Sequence, residues 1–156
     1  MAWKLFLDTN VFIDALAHRE PFQQNAKLIL ALGQIGEFEL WMSTKQATDI
    51  FCILSDGQKA SRCAWAEEQM QKLRGFVHAC AFTDEDIDEA LKSTWKDFED
   101  ACLNQTIHKV KPDAVITGNL RDFALSDYPV LDCNSLFEWI GQKSGVSYHS
   151  IAFPEQ

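Results

Sequence analysis

Residues 3–16 read WKLFLDTNVFIDAL. Trp3–Leu7 is an apolar run broken only by Lys4, and it stops at Asp8-Thr9-Asn10. A short apolar run bounded by polar turn residues reads as a strand buried on both faces. Val11–Ala17 then carries the spacing of a short helix. Two accounts of the carboxylate at the junction stand open. Asp8 caps the following helix, or the strand delivers Asp8 to a site at its carboxyl end.

The alternation begun there recurs along the chain. Phe38–Met42, Phe76–Phe82, Ala114–Thr117 and Tyr128–Leu131 read as further strands. Helices are expected from Pro21 through Leu32, stopped by Gly33 and Gly36, and from a Ser43 or Thr44 cap to Leu54. Others are expected over Lys59–Arg74, from a Thr83 cap to about Ser93, over Asp97–Ile107, and over Leu136–Ile140 behind a cap at Asn134 or Ser135. Short apolar strands alternating with helices predict an α/β fold, a three-layer α/β/α sandwich around a central parallel sheet of about five strands. No repeat or linker divides the sequence: residues 1–141 are expected to form one domain, and 142–156 a C-terminal tail.

A chain of 156 residues suits one domain, and 47% apolar with 24% charged residues is ordinary for a soluble globular protein. With no transmembrane run and no signal peptide, a cytoplasmic location and no membrane partner are expected. The five cysteines (Cys52, Cys63, Cys80, Cys102 and Cys133) are odd in number and form no C-x-x-C. Buried free thiols are expected rather than a zinc site or a disulfide framework. His18, His78, His108 and His149 show no metal-ligand spacing. A net charge of −9 argues against non-specific nucleic-acid binding, which depends on Lys and Arg. That argument weakens where carboxylates gather around divalent cations, which reverse the local charge.

The carboxylates hold the chemical information. LFLDTN has Asp8 at the tip of its strand, and AVITGNLRDF ends its strand at Thr117 and continues to Asn119 and Asp122. Asp49 lies six residues beyond Ser43 and precedes Ile50 and Phe51. Asp97 and Asp100, in KDFEDAC, are three apart and share one helix face. Carboxylates at apolar boundaries are costly unless paired, hydrogen-bonded or bound to metal. Neighbouring carboxylates repel one another, and a hard cation such as Mg²⁺ or Mn²⁺ relieves that with oxygen ligands. Singly, each has a plainer account: Asp8 a cap, Asp49 a solvated helix residue or the partner of an arginine, Asp97 an acid favoured by the helix dipole, Asn119 and Asp122 loop and cap residues. Asp14, Glu99, Asp113, Asp127 and the run Asp84–Asp88 read as solvated surface or caps. The joint recurrence of acids at strand ends is what points to a site.

On these residues the sequence resembles the PIN-domain nucleases, most closely the VapC-type toxins of bacterial toxin–antitoxin pairs. The resemblance runs from about Lys4 to Ile140. It rests on the strand ending in Asp8-Thr9-Asn10, HREPFQQNA at 18–26, STKQATDIF at 43–51, KDFEDA at 96–101 and TGNLRDF at 117–123. It implies a five-stranded parallel sheet with acids at its carboxyl edge, and divalent-metal-dependent endoribonuclease activity with Mg²⁺ or Mn²⁺ as cofactor. By position it implies Asp8, Asp49, Asp100 and Asp122 as catalytic acids and Asp8, Asp97, Asp100 and Asp122 as metal ligands. Thr9, Asn10, Thr117 and Asn119 would orient those groups. RNA is the implied substrate, a small antitoxin the implied partner, and a homodimer the implied assembly. For the homodimer, the helix Lys59–Arg74 with Trp65 and Met70, and the region around Trp95, are the candidate surfaces.

Two departures from the family stand out. Asp49 occupies a position where many members have Glu, and Gly118 one where many have Arg, which leaves Arg121 as the candidate phosphate contact. Two competing accounts remain. A phosphatase with Asp8 as nucleophile needs a general acid two residues on, and that residue is Asn10. A catalytically inactive PIN-fold binding module suits the acidic charge, but gives no reason for keeping every acid of the set.

Overall fold

A computed structural model describes residues 2–148. Five parallel strands, β1 (Trp3–Leu7), β2 (Phe38–Ser43), β3 (Val77–Cys80), β4 (Ala114–Ile116) and β5 (Val130–Leu131), form one sheet in the order β3-β2-β1-β4-β5. Seven helices accompany it among the described residues: α1 (Thr9–Leu16), α2 (Gln23–Gln34), α3 (Gln46–Leu54), α4 (Ala60–Arg74), α5 (Asp84–Lys92), α6 (Phe98–Val110) and α7 (Cys133–Ser144). A 3₁₀ turn, Leu120–Phe123, follows β4. The chain lays β1 to β3 outward on one side, then returns to place β4 and β5 on the other side of β1. Strand order therefore reverses between β1 and β4, the place where open α/β sheets bind ligands.

Alternation along β1 builds the layers. Leu5 and Leu7 face a main core with Leu40, Met42, Val77, Ala114 and Ile116, covered by residues of α1, α2, α3, α4 and α7. Phe6 faces the other way, joining Val115 and the Leu103, Ile107 and Val110 side chains of α6. A further cluster of Ala90, Ala101 and Cys102 joins α5 to α6. Central strands buried on both faces must be apolar throughout, which is why they read as unbroken runs. The edge strands β3 and β5 pair on one side only, and both are shorter than the apolar runs that predicted them.

Several helix starts differ from expectation, and each difference has a local cause. Neither Ser43 nor Thr44 caps α3: Ser43 is drawn into the sheet opposite Cys80, and the cap is Lys45, with no side-chain bond. The first helical residue, Gln46, is fully buried. Its Oε1 accepts from Ser43 N at 2.7 Å, and its Nε2 donates to Leu7 O at 3.0 Å and to Thr9 Oγ1 at 3.2 Å. This one amide ties the end of β2 to the end of β1. α7 is capped by Asp132, which accepts from Ser135 N at 2.7 Å, rather than by Asn134 or Ser135, and it runs on to Ser144. Gly145, at φ +73°, closes it in the left-handed region that suits glycine. Beyond it the Tyr148 ring packs on Phe38 and Phe137, at 5.6 and 6.1 Å between centroids. The rest of the expected tail, 149–156, lies outside the described residues.

Thr83 does cap α5, in a reciprocal box with Asp86. Asp86 is buried and ion-paired with Lys109 of α6. Burial pushes its carboxyl up, but the Lys109 ammonium and the Thr83 bonds outweigh that and hold it below the usual carboxylate range. Cys102 and Cys133 are buried free thiols as expected, Cys133 pushed up to about 12 by burial. Cys63 and Cys80 are only half-buried, and Cys52, on the outer side of α3, is exposed. Trp65 and Met70 pack partly buried against the main core, with the Arg62 guanidinium 4.5 Å from the Trp65 ring centre. Among the described residues no helix is long and apolar enough to cross a membrane.

Candidate active site

Leu7 and Ile116 are register partners at the carboxyl ends of β1 and β4. The next residue on each strand is therefore polar and adjacent: Thr117 Oγ1 donates to Asp8 Oδ2 at 2.8 Å. The other carboxylate oxygen, Oδ1, accepts from Thr9 N at 2.8 Å, which caps α1. Asn10 Nδ2 donates to Oδ2 at 3.3 Å, and Asn10 Oδ1 accepts from Gly118 N at 3.1 Å. Thr117 Oγ1 also accepts from Asn119 N at 3.0 Å. Asp8 thus caps a helix and stands pinned at the sheet's carboxyl edge. Burial pushes its carboxyl above the ordinary value; the bonds from Thr117 and Thr9 oppose this, and the charges of Asp122 and Glu99 add to it.

α6 supplies the second group of acids. Asp97 is its cap, accepting from Asp100 N at 3.0 Å, so Glu99 and Asp100 fall in the first turn. The Asp100 carboxyl is pushed up to about 7, first by burial and then by the charges of Asp97, Asp122, Asp8 and Glu99. Several like charges acting on one carboxyl mark acids gathered in one place. The 3₁₀ turn after β4 brings Asp122 to them. Asp8, Thr9, Asn10, Asp97, Asp100, Asn119 and Asp122 line one recess of about 280 Å³. Thr117, fully buried, supports Asp8 from below. Arg121 lines an adjoining recess of about 540 Å³ that shares Asp97, Asp100 and Asp122.

One expected acid stands apart. Asp49 is exposed and lines neither recess; Ile53, one turn further along α3, lines the acid recess in its place. Ile50 and Leu54 of α3 face the core; Asp49 is exposed and shares a helix face with Ile53 but sits one turn nearer the helix start. Ile13, Arg19, Ile53 and Glu99 also line this recess and are not among the expected site residues. Glu99, expected as solvated surface or a cap, lines the acid recess, because side chains of a first helical turn fan out around the same end. Arg19, in the HREP stretch, lines the recess and pairs through Nε with Asp14 Oδ1 at 3.3 Å. Asp14, expected at the solvated surface, is buried at 9% exposure. Burial pushes its carboxyl up, and Arg19 pulls it back.

An all-oxygen donor set under mutual repulsion fits a hard divalent cation in kind. As the side chains stand, no three His, Cys, Asp or Glu groups among the described residues are close enough together to hold an ion. The carboxylates would have to turn toward one another to bind one.

The PIN domain family profile matches residues 4–121, from β1 to one residue short of Asp122. No curated protein matches the chain. Among solved structures it is similar to PAE2754 from Pyrobaculum aerophilum, at 15% identity and a TM-score of 0.60 over 91% of this chain and 92% of that one. It is similar to VapBC2 from Rickettsia felis bound to a DNA fragment from their promoter, at 12% identity and a TM-score of 0.59 over 83% and 98%. It is also similar to VapC20 of Mycobacterium tuberculosis, a sarcin-ricin loop cleaving toxin, at 14% identity and a TM-score of 0.55 over 71% and 86%. At such identities these likenesses are of fold. The profile match takes in most of the sequence and both strands of the switch point, and the chain belongs to the PIN-domain family.

Proposed function

We propose that the protein is a divalent-metal-dependent endoribonuclease and the toxin of a type II toxin–antitoxin pair. One observation carries the reading: Asp8, Asp97, Asp100 and Asp122, from three separate segments, line one recess at the β1/β4 switch point. Family membership supports it, as does a fold shared with VapBC2 and VapC20.

Asp8, Asp97, Asp100 and Asp122 would hold Mg²⁺ or Mn²⁺, which when bound lowers the pKa of a water and stabilises charge on the phosphate. Three hydrogen bonds from Thr9, Asn10 and Thr117 fix the Asp8 carboxylate, so the other acids would turn toward it to complete the site. Asp100 lines both recesses and is the proposed acceptor of the attacking water's proton, at a carboxylate oxygen. Arg19 and Arg121, which line the two recesses, would donate to phosphate oxygens. Asp49, off the recess, acts at one remove. A single-stranded or looped RNA suits the site, because a duplex holds its phosphates away from a recess. The proposed protein partners are a second copy of the chain and a small antitoxin presenting Lys or Arg to the acids. The proposed location is the cytoplasm.

The test is cleavage of a labelled structured RNA pool in Mn²⁺, Mg²⁺ or EDTA, beside Asp8→Asn. Cleavage should require the metal, and Asp8→Asn should lower it more than about 100-fold with the fold intact. No cleavage, together with no metal binding by calorimetry, would replace this reading with a PIN-fold binding module. The net charge of −9 is the observation on that side.

A further inference from the structure

The recess that adjoins the acids has a different chemistry from theirs. Beyond Asp97, Asp100 and Asp122 its walls include Trp95, Lys96, Arg121 and Leu125. Two cations sit there in a chain of net charge −9. Among the described residues neither Lys96 nor Arg121 makes an ion pair within 4.0 Å. Both cations are exposed and unpartnered, beside the place where a phosphate is proposed to be cut.

The remaining wall is aromatic and apolar. Trp95 is half-buried in the loop between α5 and α6, its ring set edge-on to the buried Phe123 at 6.0 Å and 74°. Ser93 fixes that loop: its Oγ donates to Ala90 O at 2.7 Å and accepts from Trp95 N at 3.4 Å. A ring already locked by packing offers a stacking surface at little entropic cost. Leu125, 54% exposed, adds apolar area. An aromatic platform with cations beside it is how proteins hold a base and its phosphate in single-stranded nucleic acid.

We propose that this recess is a nucleotide subsite, in which an unstacked base of single-stranded RNA lies against Trp95 and Leu125 while Lys96 and Arg121 hold the phosphate next to the one cut. The proposal rests on the ribonuclease reading above and adds the residues that select the substrate. A paired base has no free face to offer, so duplex is excluded. The subsite adds its attraction for RNA to that of Arg19 in the acid recess.

The experiment measures binding rather than turnover. Full-length Asp8→Asn in Ca²⁺ is titrated by anisotropy with a labelled single-stranded RNA hexamer pool, with a hairpin duplex, and with a glutamate-rich peptide. Trp95→Ala should weaken hexamer binding about tenfold and Trp95→Phe should restore most of it, the scale of one base stack. Lys96→Ala/Arg121→Ala should weaken it about as much and flatten the salt dependence by about 1.4 log units per log unit of salt. Lys72→Ala/Lys143→Ala removes the same charge elsewhere and should change nothing. Equal losses in that control, no loss in the recess variants, or displacement of RNA by the peptide at equal concentration would each overturn the subsite. If the unsubstituted protein cuts RNA and the recess variants bind and cut normally, the subsite falls and the nuclease stands. If it cuts nothing while the recess variants still lose the hexamer, the nuclease falls and the nucleotide site stands.

Discussion

Asp100 and Asp8 are both held above the usual carboxylate range, with burial as the leading cause in each. A carboxyl whose folded pKa is raised binds its proton more tightly in the folded chain than in the unfolded one. The contribution of these two groups to stability in the absence of metal is therefore greatest below the unfolded value of about 4 and declines as pH rises from there to about 7, the value Asp100 reaches. Asp86, held low, has the opposite sign, but its stabilisation is lost only as pH falls below the ordinary carboxylate range. A divalent cation should relieve the strain where the acids are ionised. The rise in melting temperature on replacing EDTA with Mg²⁺ should be larger at pH 8 than at pH 5. Equal rises at both pH values would contradict a site built from these carboxylates.

At the scale of the element, a helix start decides which acids meet. α3 begins at Gln46, so Asp49 falls one turn short of Ile53, the residue on that helix face that lines the recess. Asp49→Ala should lower cleavage less than about tenfold, far less than Asp8→Asn, in parallel single-turnover assays. Gln46 sets the phase through three bonds to Ser43, Leu7 and Thr9. Gln46→Leu strands those buried groups and should destabilise the fold by about 2–4 kcal/mol, read by urea denaturation. The order of strands and helices was legible in the sequence because apolar runs and caps are local signals. The start of α3 was not, because it depends on an amide reaching 39 residues back to Leu7. Asp97 at the head of α6 was legible for the opposite reason: its partner, Asp100 N, is three residues away.

Over the whole molecule, the acids come from the end of β1, the start of α6 and the turn after β4, and only the closed sheet brings them together. Metal affinity should therefore vanish at the same urea midpoint as the secondary structure; Mn²⁺ binding that survived unfolding would place the ligands in one local segment instead.

The sequence by itself determined the alternation of strands and helices, the parallel sheet, and the delivery of Asp8 and Thr117 to strand ends. Period, capping and apolar runs are written within a few residues of where they act. Only the tertiary structure decided that Asp49 stands apart, that Glu99 and Arg19 face the recess, and that Trp95, Lys96 and Arg121 line one cavity. Those outcomes depend on helix phase and on which side of β1 the later strands are laid, and both are settled by packing between distant segments.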